Sequence, residues 1–281
     1  MINQMQAKAD LQRFLNEDIG RGDASSDSIF DATVCSGGTF LLKADGVVCG
    51  LWIAPLVYQL LGGEVTFTPL VTEGSYQVAG THLAKVTGPI RTLLTGERLI
   101  LNLWQRMGGI ATATYQAVQT LADPTIRICD TRKTAPGLRL FDKYAVTQGG
   151  GFNHRMGLDD GIMLKDNHIA FAGGITAAIK TARQHNGHMI KIEVEIESLA
   201  QFKEAVAAQP DVIMLDNLAP DQIQTYLPYN QGILTEASGG ISPANLATFK
   251  GCGVDYISLG YLTHSVQALD ISFNSIKGDK A

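Results

Sequence analysis

The sequence predicts an α/β protein whose two halves are patterned differently. In the first hundred residues, short strand-like runs are separated by glycine-rich turns, which predicts a small α+β unit with an antiparallel sheet. From about residue 125, apolar strand-like runs alternate with helical stretches, and the later strands recur about every 22 residues, as one βα unit requires. Repeated units of this kind form a parallel sheet, either open and doubly wound or closed into a barrel.

The first half is expected to begin with an amphipathic helix that carries Leu11, Phe14 and Leu15 on one face. A second helix is predicted at 53–61, ended by Gly62, and a third at 92–107 leads out of this half. Runs with strand character occur at 38–44, 47–49, 65–69 and 83–87.

Six strands are predicted in the second half, at 126–129, 162–164, 190–196, 212–215, 233–234 and 256–259. Helical stretches lie between most of them. One is expected at 176–185, and another begins at the capping-box pattern of Ser198 and Gln201. Ser242 is expected to cap a further helix, with Pro243 at its first position and Gly251 just past its end.

Composition excludes several classes of protein. Hydrophobic residues make up 45% and charged residues 17% of the chain, and the net charge is −5, so neither disorder nor binding to nucleic acid or an acidic membrane is indicated. No apolar run is long enough to span a membrane, and the N-terminus lacks the apolar core of a signal peptide. The four cysteines form no CxxC pair, so neither a zinc site nor a disulfide framework is expected. These features favour the cytoplasm.

Every predicted strand of the second half ends in charged, hydroxyl or glycine residues. Because the carboxyl ends of parallel strands meet at one face, and because that face carries the active site in a barrel, these residues are expected to surround one pocket. The groups that follow the strands are the run 130–133, the run 165–168, Glu195, Asp216 with Asn217, the run 236–240, and Gly260.

Glu193 and Glu195 lie two positions apart and therefore point to the same side of their strand. A buried carboxylate needs a partner, which a metal ion or a cation in the pocket supplies. Glu195 is the candidate for function, whereas Glu193 is also explained by a deeper structural network. Asp216 is a second candidate, although a residue at a strand end can also simply cap a loop or helix.

Ser238, Gly239 and Gly240 precede the predicted helix at Ser242, and backbone N–H groups at such a position bind phosphate. Gly260, after the next strand, is placed where a phosphate site is often completed. A Gly-Gly turn alone is a weak signal. Arg132 and Lys133 suit a polyanion but could be solvated charges, and His154 beside Arg155 could be structural. Together, these groups predict a metal-assisted enzyme that acts on phosphorylated and carboxylated substrates.

The same motifs resemble those of the quinolinate phosphoribosyltransferases, also called carboxylating nicotinate-nucleotide pyrophosphorylases. The resemblance covers nearly the whole chain. Its main motifs are GERLILNLWQRMGGIAT at 96–112, DTRKTAPGLR at 130–139, GGGFNHRMGLDDGIMLKDNH at 149–168, IEVEIES at 192–198, LDN at 215–217 and EASGGI at 236–241.

The resemblance implies an N-terminal α/β sandwich domain at 1–108 and, at 109–265, a seven-stranded (β/α) barrel of the type II phosphoribosyltransferase kind. A C-terminal tail at about 266–281 would be free to pack back on the first domain. It implies a pentosyltransferase of de novo NAD biosynthesis that joins quinolinate to phosphoribosyl pyrophosphate (PRPP), with release of carbon dioxide and pyrophosphate, and that uses Mg²⁺ and no organic cofactor.

The resemblance also assigns roles to individual residues. It implies a homodimer in which Arg98 completes the neighbouring subunit's site. Glu195 and Asp216 would face the ribose and its magnesium, directly or through water, and Lys165 would be catalytic as well as substrate-binding. The remaining substrate-binding positions are Arg132, His154 and Arg155 for quinolinate, Lys133 for PRPP, and Ser238, Gly239, Gly240 and Gly260 for the 5′-phosphate.

Two departures from the family pattern bear on loop packing: Tyr261 stands after Gly260, and Thr147 with Gln148 precedes the three glycines. The same residue pattern leaves three alternative functions open. A paralogue of the same fold, such as a nicotinate phosphoribosyltransferase or a molybdenum-transport-associated enzyme, would need fewer cations. A Schiff-base aldolase would use Lys165 as nucleophile. A non-catalytic barrel would bind phosphorylated ligands without needing both carboxylates in the pocket.

Overall fold

The computed structural model describes residues 2–276, and the described residues group into two compact units. The first unit contains residues 2–115, 135–150 and 265–276. The second unit contains residues 116–134 and 151–264. The predicted domain boundaries stay a prediction, and residues 277–281 of the predicted tail lie outside the described part of the chain.

The first unit is built on an antiparallel sheet, as the sequence predicts. Its strands are β1 (Cys35–Leu42), β2 (Gly46–Val47), β3 (Thr66–Pro69), β4 (Tyr76–Gln77), β5 (His82–Pro89) and β12 (Ile271–Ser275). Its helices are α1 (Gln4–Ile19), α2 (Ala24–Ile29), α3 (Ile53–Leu61), α4 (Ile90–Leu121), of which residues 116–121 belong to the second unit, and α5 (Arg139–Gln148). The four-stranded sheet has the order β12-β1-β5-β3, and β2 pairs with β4.

The core of this sheet explains one of its glycines. The ring of Phe40 on β1 lies 4.7 Å from the ring of Trp104 and 4.9 Å from that of Phe273 on β12. Gly38 faces the same Phe273 ring, and a Cβ at residue 38 would stand 2.0 Å from it. The strand therefore needs glycine at this position because the aromatic ring occupies the space of a side chain.

Helix α4 is longer than the sequence predicts. The expected helix covers residues 92–107. In the structure the helix continues to Leu121. A Cβ on Gly108 would lie 2.8 Å from the Leu269 side chain, and one on Gly109 would lie 2.0 Å from the carbonyl oxygen of Gln267. These glycines thus permit close packing against the segment before β12 and do not end the helix.

The second unit contains a six-stranded parallel sheet of order β6-β11-β10-β9-β8-β7, which confirms the predicted α/β fold. Its strands are β6 (Arg127–Cys129), β7 (Ile162–Leu164), β8 (Ile192–Ile196), β9 (Val212–Asp216), β10 (Leu234–Ser238) and β11 (Tyr256–Ser258). Its helices are α6 (Asp166–Ala172), α7 (Ile175–His185), α8 (Leu199–Ala208), α9 (Pro220–Tyr226) and α10 (Tyr261–His264), together with 3-10 helices at Leu227–Tyr229 and Leu246–Phe249.

The sheet order begins at β6 and ends at β7. Beyond β6, Phe152 forms a single parallel bridge with Cys129. Six of the seven strands implied by the family resemblance are thus present as named strands, and the position of the seventh stays a prediction. No helix within residues 2–276 is both long enough and apolar enough to cross a bilayer.

The prediction of a helix after Ser242 is wrong. Only the 3-10 turn Leu246–Phe249 forms there. The side chain of Asn245 accepts the backbone N–H of Ser242 at 2.7 Å and donates to the carbonyl oxygen of Gly240 at 3.0 Å. These local side-chain bonds compete with the first turn of a helix, so no helix N-terminus follows the glycine turn.

Candidate active site

A pocket of about 560 Å³ opens at the carboxyl ends of the parallel strands of the second unit. We call it the strand-end pocket. Ten of the predicted site residues line it: Arg132, Lys133, His154, Arg155, Lys165, Glu195, Asp216, Ser238, Gly239 and Gly240. The backbone explains this convergence, because eight of these residues lie at the end of a parallel strand or in the loop that follows one. The other two, His154 and Arg155, follow Phe152, which forms a parallel bridge with Cys129 at the end of β6.

The two other predicted residues lie elsewhere. Gly260 lines an adjoining cleft of about 330 Å³ that shares Lys133 and the Ser238–Gly240 turn with the strand-end pocket. Arg98 lies on α4 in the first unit, is exposed, and is not among the lining residues of the pocket.

Acidic and basic side chains meet directly inside the pocket. The Lys165 ammonium donates a hydrogen bond to Glu195 Oε1, and the Lys165 side chain is 44% exposed, which leaves part of it accessible to a ligand. Burial raises the pKa of Glu195, the hydrogen bond from Lys165 opposes this rise, and the nearby Asp216 carboxylate adds to it. Glu195 and Asp216 are therefore electrostatic neighbours that repel each other in the absence of a cation.

The two arginines of the pocket also repel each other. Burial lowers the pKa of the Arg155 guanidinium, and the charge of Arg132 lowers it further. Arg155 donates from Nη1 to the carbonyl oxygen of Gly161 at 2.7 Å. The Nε–H of Arg132 is buried and has no hydrogen-bond partner among residues 2–276. A buried donor without an acceptor is costly, and a bound carboxylate would satisfy it with paired N–H donors.

The glycine turn after β10 lies close to Asp216 and to Asn217, the residue that follows Asp216. Asn217 adopts a left-handed conformation with φ of 56°, and its Nδ2 donates to Asp216 Oδ2 at 2.7 Å. Gly239 and Gly240 have φ values of 79° and 66°. A Cβ on Gly239 would lie 2.3 Å from Asn217 Oδ1, so only glycine fits where the turn approaches the acid.

Several lining residues were missed by the sequence analysis. Met163 and Met214 line the strand-end pocket, and His264 lines the adjoining cleft with Gly260. The two methionines could have been found from strand periodicity, since Met214 shares a strand face with Asp216. His264 carried no such signal, because it follows the last strand within the short helix α10.

A buried polar group lies beside the pocket, and we call it the deep cluster: His154, Glu193, Glu236 and Ser258. His154 Nε2 lies 2.9 Å from Glu193 Oε2 and 3.7 Å from Glu236 Oε1, and the Ser258 hydroxyl donates to Glu236. The sequence left a structural network open as the explanation of Glu193, and Glu193 lies in such a network. Burial, and then the Glu193 carboxylate, raises the pKa of Glu236 to about 7.

Glu236 predicts a specific dependence of stability on pH. Because its folded-state pKa is raised, the folded protein binds the proton more tightly than the unfolded chain, and ionisation destabilises the fold as pH rises from about 4.5 to 7 and above. The variant Glu236→Gln cannot ionise at this position. The difference between its melting temperature and that of the wild type is therefore expected to be more favourable to the variant at pH 8 than at pH 5. The control Glu197→Gln changes an exposed carboxylate. Equal differences in melting temperature at both pH values would contradict the burial of an ionisable carboxyl here.

Comparison with known proteins agrees with this arrangement. Residues 23–108 match the family model "Quinolinate phosphoribosyl transferase, N-terminal domain", and residues 110–274 match the C-terminal domain of the same family. A probable carboxylating nicotinate-nucleotide pyrophosphorylase of Bacillus subtilis is 50% identical over 274 residues, covering 97% of this chain and 94% of that protein.

Two further relatives extend the likeness. The decarboxylating quinolinate phosphoribosyltransferase 1b of Nicotiana tabacum is 39% identical over 94% of this chain and 81% of its own. The crystal structure of NadC from Streptococcus pyogenes superposes with a TM-score of 0.94 at 40% identity and covers 99% of both chains. With matching models for both halves, and with relatives this similar over nearly its full length, the chain belongs to the quinolinate phosphoribosyltransferase family.

Proposed function

We propose that this protein transfers the phosphoribosyl group of PRPP to quinolinate, with decarboxylation, to give nicotinate mononucleotide, pyrophosphate and carbon dioxide in de novo NAD biosynthesis. The observation that carries this function is the buried, unpartnered Nε–H of Arg132 in a pocket that also contains Arg155 and Lys165. Three neighbouring cations with an unsatisfied donor call for a ligand that carries more than one carboxylate. The cytoplasm stays our expectation for where the enzyme works.

Quinolinate is proposed to bind with its two adjacent carboxylates against Arg132, Arg155 and Lys165. His154 forms part of the same wall. Planar guanidinium groups match carboxylates with paired N–H donors, while the Lys165 ammonium acts as a point charge. Met163 and Met214 add apolar surface to the pocket, and thioether sulfur makes favourable contacts with aromatic rings.

PRPP is proposed to place its 5′-phosphate at the backbone N–H groups of Ser238, Gly239, Gly240 and Gly260, with Lys133 nearby. Lys133 and the turn line both the strand-end pocket and the adjoining cleft, so a ligand can extend from one to the other. Successive N–H groups in a glycine turn form a concavity that binds anions. The phosphate is therefore assigned to this turn itself, without the helix N-terminus that the sequence suggested.

Mg²⁺ fits the chemistry of the acidic pair, because carboxylate oxygens are preferred ligands of this ion and because the Asp216 carboxylate raises the pKa of Glu195. We propose that Glu195 and Asp216 hold it together with PRPP, directly or through water. When bound, the ion would neutralise negative charge on the pyrophosphate group.

The residues of the chain then act on the reacting atoms. As the bond between C1 of the ribose and the pyrophosphate oxygen breaks, C1 becomes positively charged, and the carboxylates of Glu195 and Asp216 stabilise that charge. The quinolinate nitrogen, oriented by the cations on its carboxylates, donates its electron pair to C1. The resulting pyridinium accepts the electron pair of the adjacent C–C bond, carbon dioxide leaves, and a proton replaces it at the ring carbon.

We further propose a homodimer in which Arg98 of one subunit completes the pocket of its partner. The support is that Arg98 is an exposed arginine on α4 and is absent from the lining of the pocket in its own chain. A second copy can supply the missing contact through an isologous interface.

The activity itself is tested by mixing the protein with PRPP, Mg²⁺ and either quinolinate or nicotinate. We expect nicotinate mononucleotide and stoichiometric carbon dioxide from quinolinate only, because a single carboxylate cannot satisfy the whole cation group. Product is measured by chromatography and carbon dioxide by release from labelled carboxylate. Turnover of nicotinate alone would identify the paralogous activity, and trapping of Lys165 by borohydride with a carbonyl substrate would identify an aldolase.

The acidic pair is tested by Glu195→Ala and Asp216→Ala. Each is expected to lower kcat by about 10²- to 10³-fold, the usual cost of removing a group that stabilises charge in the transition state. Glu197→Ala is the matched control, since Glu197 follows the same strand but is exposed. Circular dichroism and melting curves report on folding. Folded variants with kcat within a few-fold of the wild type would remove both residues from the mechanism.

The shared site is tested by complementation between Arg98→Ala and Lys165→Ala. Each variant alone is expected to be nearly inactive. After unfolding and refolding of an equal mixture, one site of every mixed dimer has both residues intact, so about a quarter of all sites should regain activity. Size-exclusion chromatography checks that dimers form. Mixed dimers without recovered activity would assign Arg98 to its own chain or to no site.

A further inference from the structure

His154 is held in one proton arrangement by its own backbone. The backbone N–H of Arg155 donates to His154 Nδ1 at 2.8 Å. A nitrogen that accepts a hydrogen bond carries no proton, so the neutral ring has its proton on Nε2. Nε2 in turn lies 2.9 Å from Glu193 Oε2, which makes it the donor to that carboxylate.

The deep cluster has the composition of a metal site but not its hydrogen bonds. Single ligand atoms of His154, Glu193 and Glu236 lie within 4.8 Å of one another. A histidine that binds a metal almost always donates its other ring N–H to an acceptor. Here the other nitrogen accepts, so a metal on Nε2 would require an imidazole ring without any proton. The hydrogen bonds therefore fit a neutral imidazole that donates from Nε2 to Glu193.

The two carboxyls of the cluster are buried close together. Glu193 and Glu236 are 7% and 4% exposed, and Oε1 of Glu193 is buried without a hydrogen-bond partner among the described residues. Two adjacent buried carboxylates cannot both be ionised without a large cost. The raised pKa of Glu236 favours its neutral form, and the geometry makes Glu193 Oε2 the acceptor for His154.

The loop that carries His154 is anchored at a second point. Asp130, at the end of β6, is fully buried and accepts the backbone N–H of His154 at 2.9 Å. It also accepts a bond from the side chain of Asn153. The ring bond to Glu193 and the backbone bond to Asp130 together fix the peptide between His154 and Arg155, from which the Arg155 side chain enters the strand-end pocket.

We propose that Glu193 is a positioning residue that accepts the Nε2–H of His154, holds the ring in that form, and thereby aims Arg155 at a carboxylate of the substrate. The assignment of that substrate as quinolinate rests on the proposed function, whereas the proton arrangement does not. His154 lines the pocket, and both of its ring nitrogens are engaged by other groups of the protein.

The proton arrangement is tested on the wild-type protein by ¹⁵N NMR of labelled histidine side chains, with His154→Asn to assign the signals. We expect His154 to show a protonated Nε2 and an unprotonated Nδ1 at pH 7, unchanged by an equivalent of Zn²⁺ or Mn²⁺. A protonated Nδ1, a doubly protonated ring, or direct coordination of either ion would overturn the proposal. This measurement needs neither activity nor a variant of the cluster.

The positioning role is tested by Glu193→Ala, with Glu193→Gln as the conservative variant and Glu197→Ala as the matched control. Glu193→Ala removes the acceptor for His154 and is expected to raise KM for quinolinate about tenfold or more, as loss of a hydrogen bond to a charged group does. KM for PRPP should change less than about twofold, since the glycine turn is untouched. Glu193→Gln keeps an acceptor oxygen and should recover most of the loss.

The outcomes separate this proposal from the function on which it rests. Equal increases in both KM values, or a folded Glu193→Ala enzyme with an unchanged KM for quinolinate, would refute the positioning role. A wild-type protein that does not use quinolinate would refute the proposed function, while the NMR result would still decide the proton arrangement. If Glu193→Ala fails to fold, the decision falls to the wild-type spectrum.

Discussion

The arrangement of the site depends on one constraint: the strands of the second unit all run in the same direction, so their carboxyl ends share one edge of the sheet. Side chains from segments that are far apart in sequence, such as Arg132 after β6 and Asp216 at the end of β9, therefore line one pocket. Because water is partly excluded there, each charge acts more strongly on its neighbours than it would on an open surface.

The balance of charge inside the pocket follows from this crowding. Lys165 pairs with Glu195, but Arg132 and Arg155 repel each other, and the Arg132 Nε–H has no acceptor within residues 2–276. Among the acidic residues, the nearby Asp216 carboxylate raises the pKa of Glu195. The pocket thus has a guanidinium donor without an acceptor beside two carboxylates that repel each other. A polycarboxylate together with a phosphorylated sugar and its cation would satisfy both, and this is the physical basis of the proposed reaction.

Much of the second unit could be predicted from the sequence because its signals are local. The strand at 162–164 was predicted at its observed bounds, and five others within a few residues, since buried parallel strands are apolar runs that end in polar residues. The prediction failed where a distant contact decides the local structure. The helix expected at 92–107 continues through Gly108 and Gly109, and the segment containing Gln267 and Leu269 packs against these glycines. After Ser242 the prediction failed for a local reason: the Asn245 side chain accepts the backbone N–H of Ser242, and a 3-10 turn forms in place of the expected helix.

The pairing of His154 with Glu193 could not be predicted, because it joins residues from a loop and a strand that the sequence keeps 39 positions apart. Asn217 belongs to the LDN motif at 215–217. Its contact with Asp216, however, depends on a left-handed backbone conformation that the sequence pattern does not predict. The role proposed for Arg98 is of a different kind, since it depends on a second copy of the chain.

The central claim is that the cations of the strand-end pocket exist to hold two carboxylates of one ligand. A crystal structure of the protein in complex with quinolinate tests it most directly. The account predicts that both carboxylates lie within hydrogen-bond distance, about 3 Å, of Arg132, Arg155 and Lys165, with the Arg132 Nε–H satisfied. Quinolinate bound at another surface, or bound in this pocket with its carboxylates directed away from these three side chains, would contradict it.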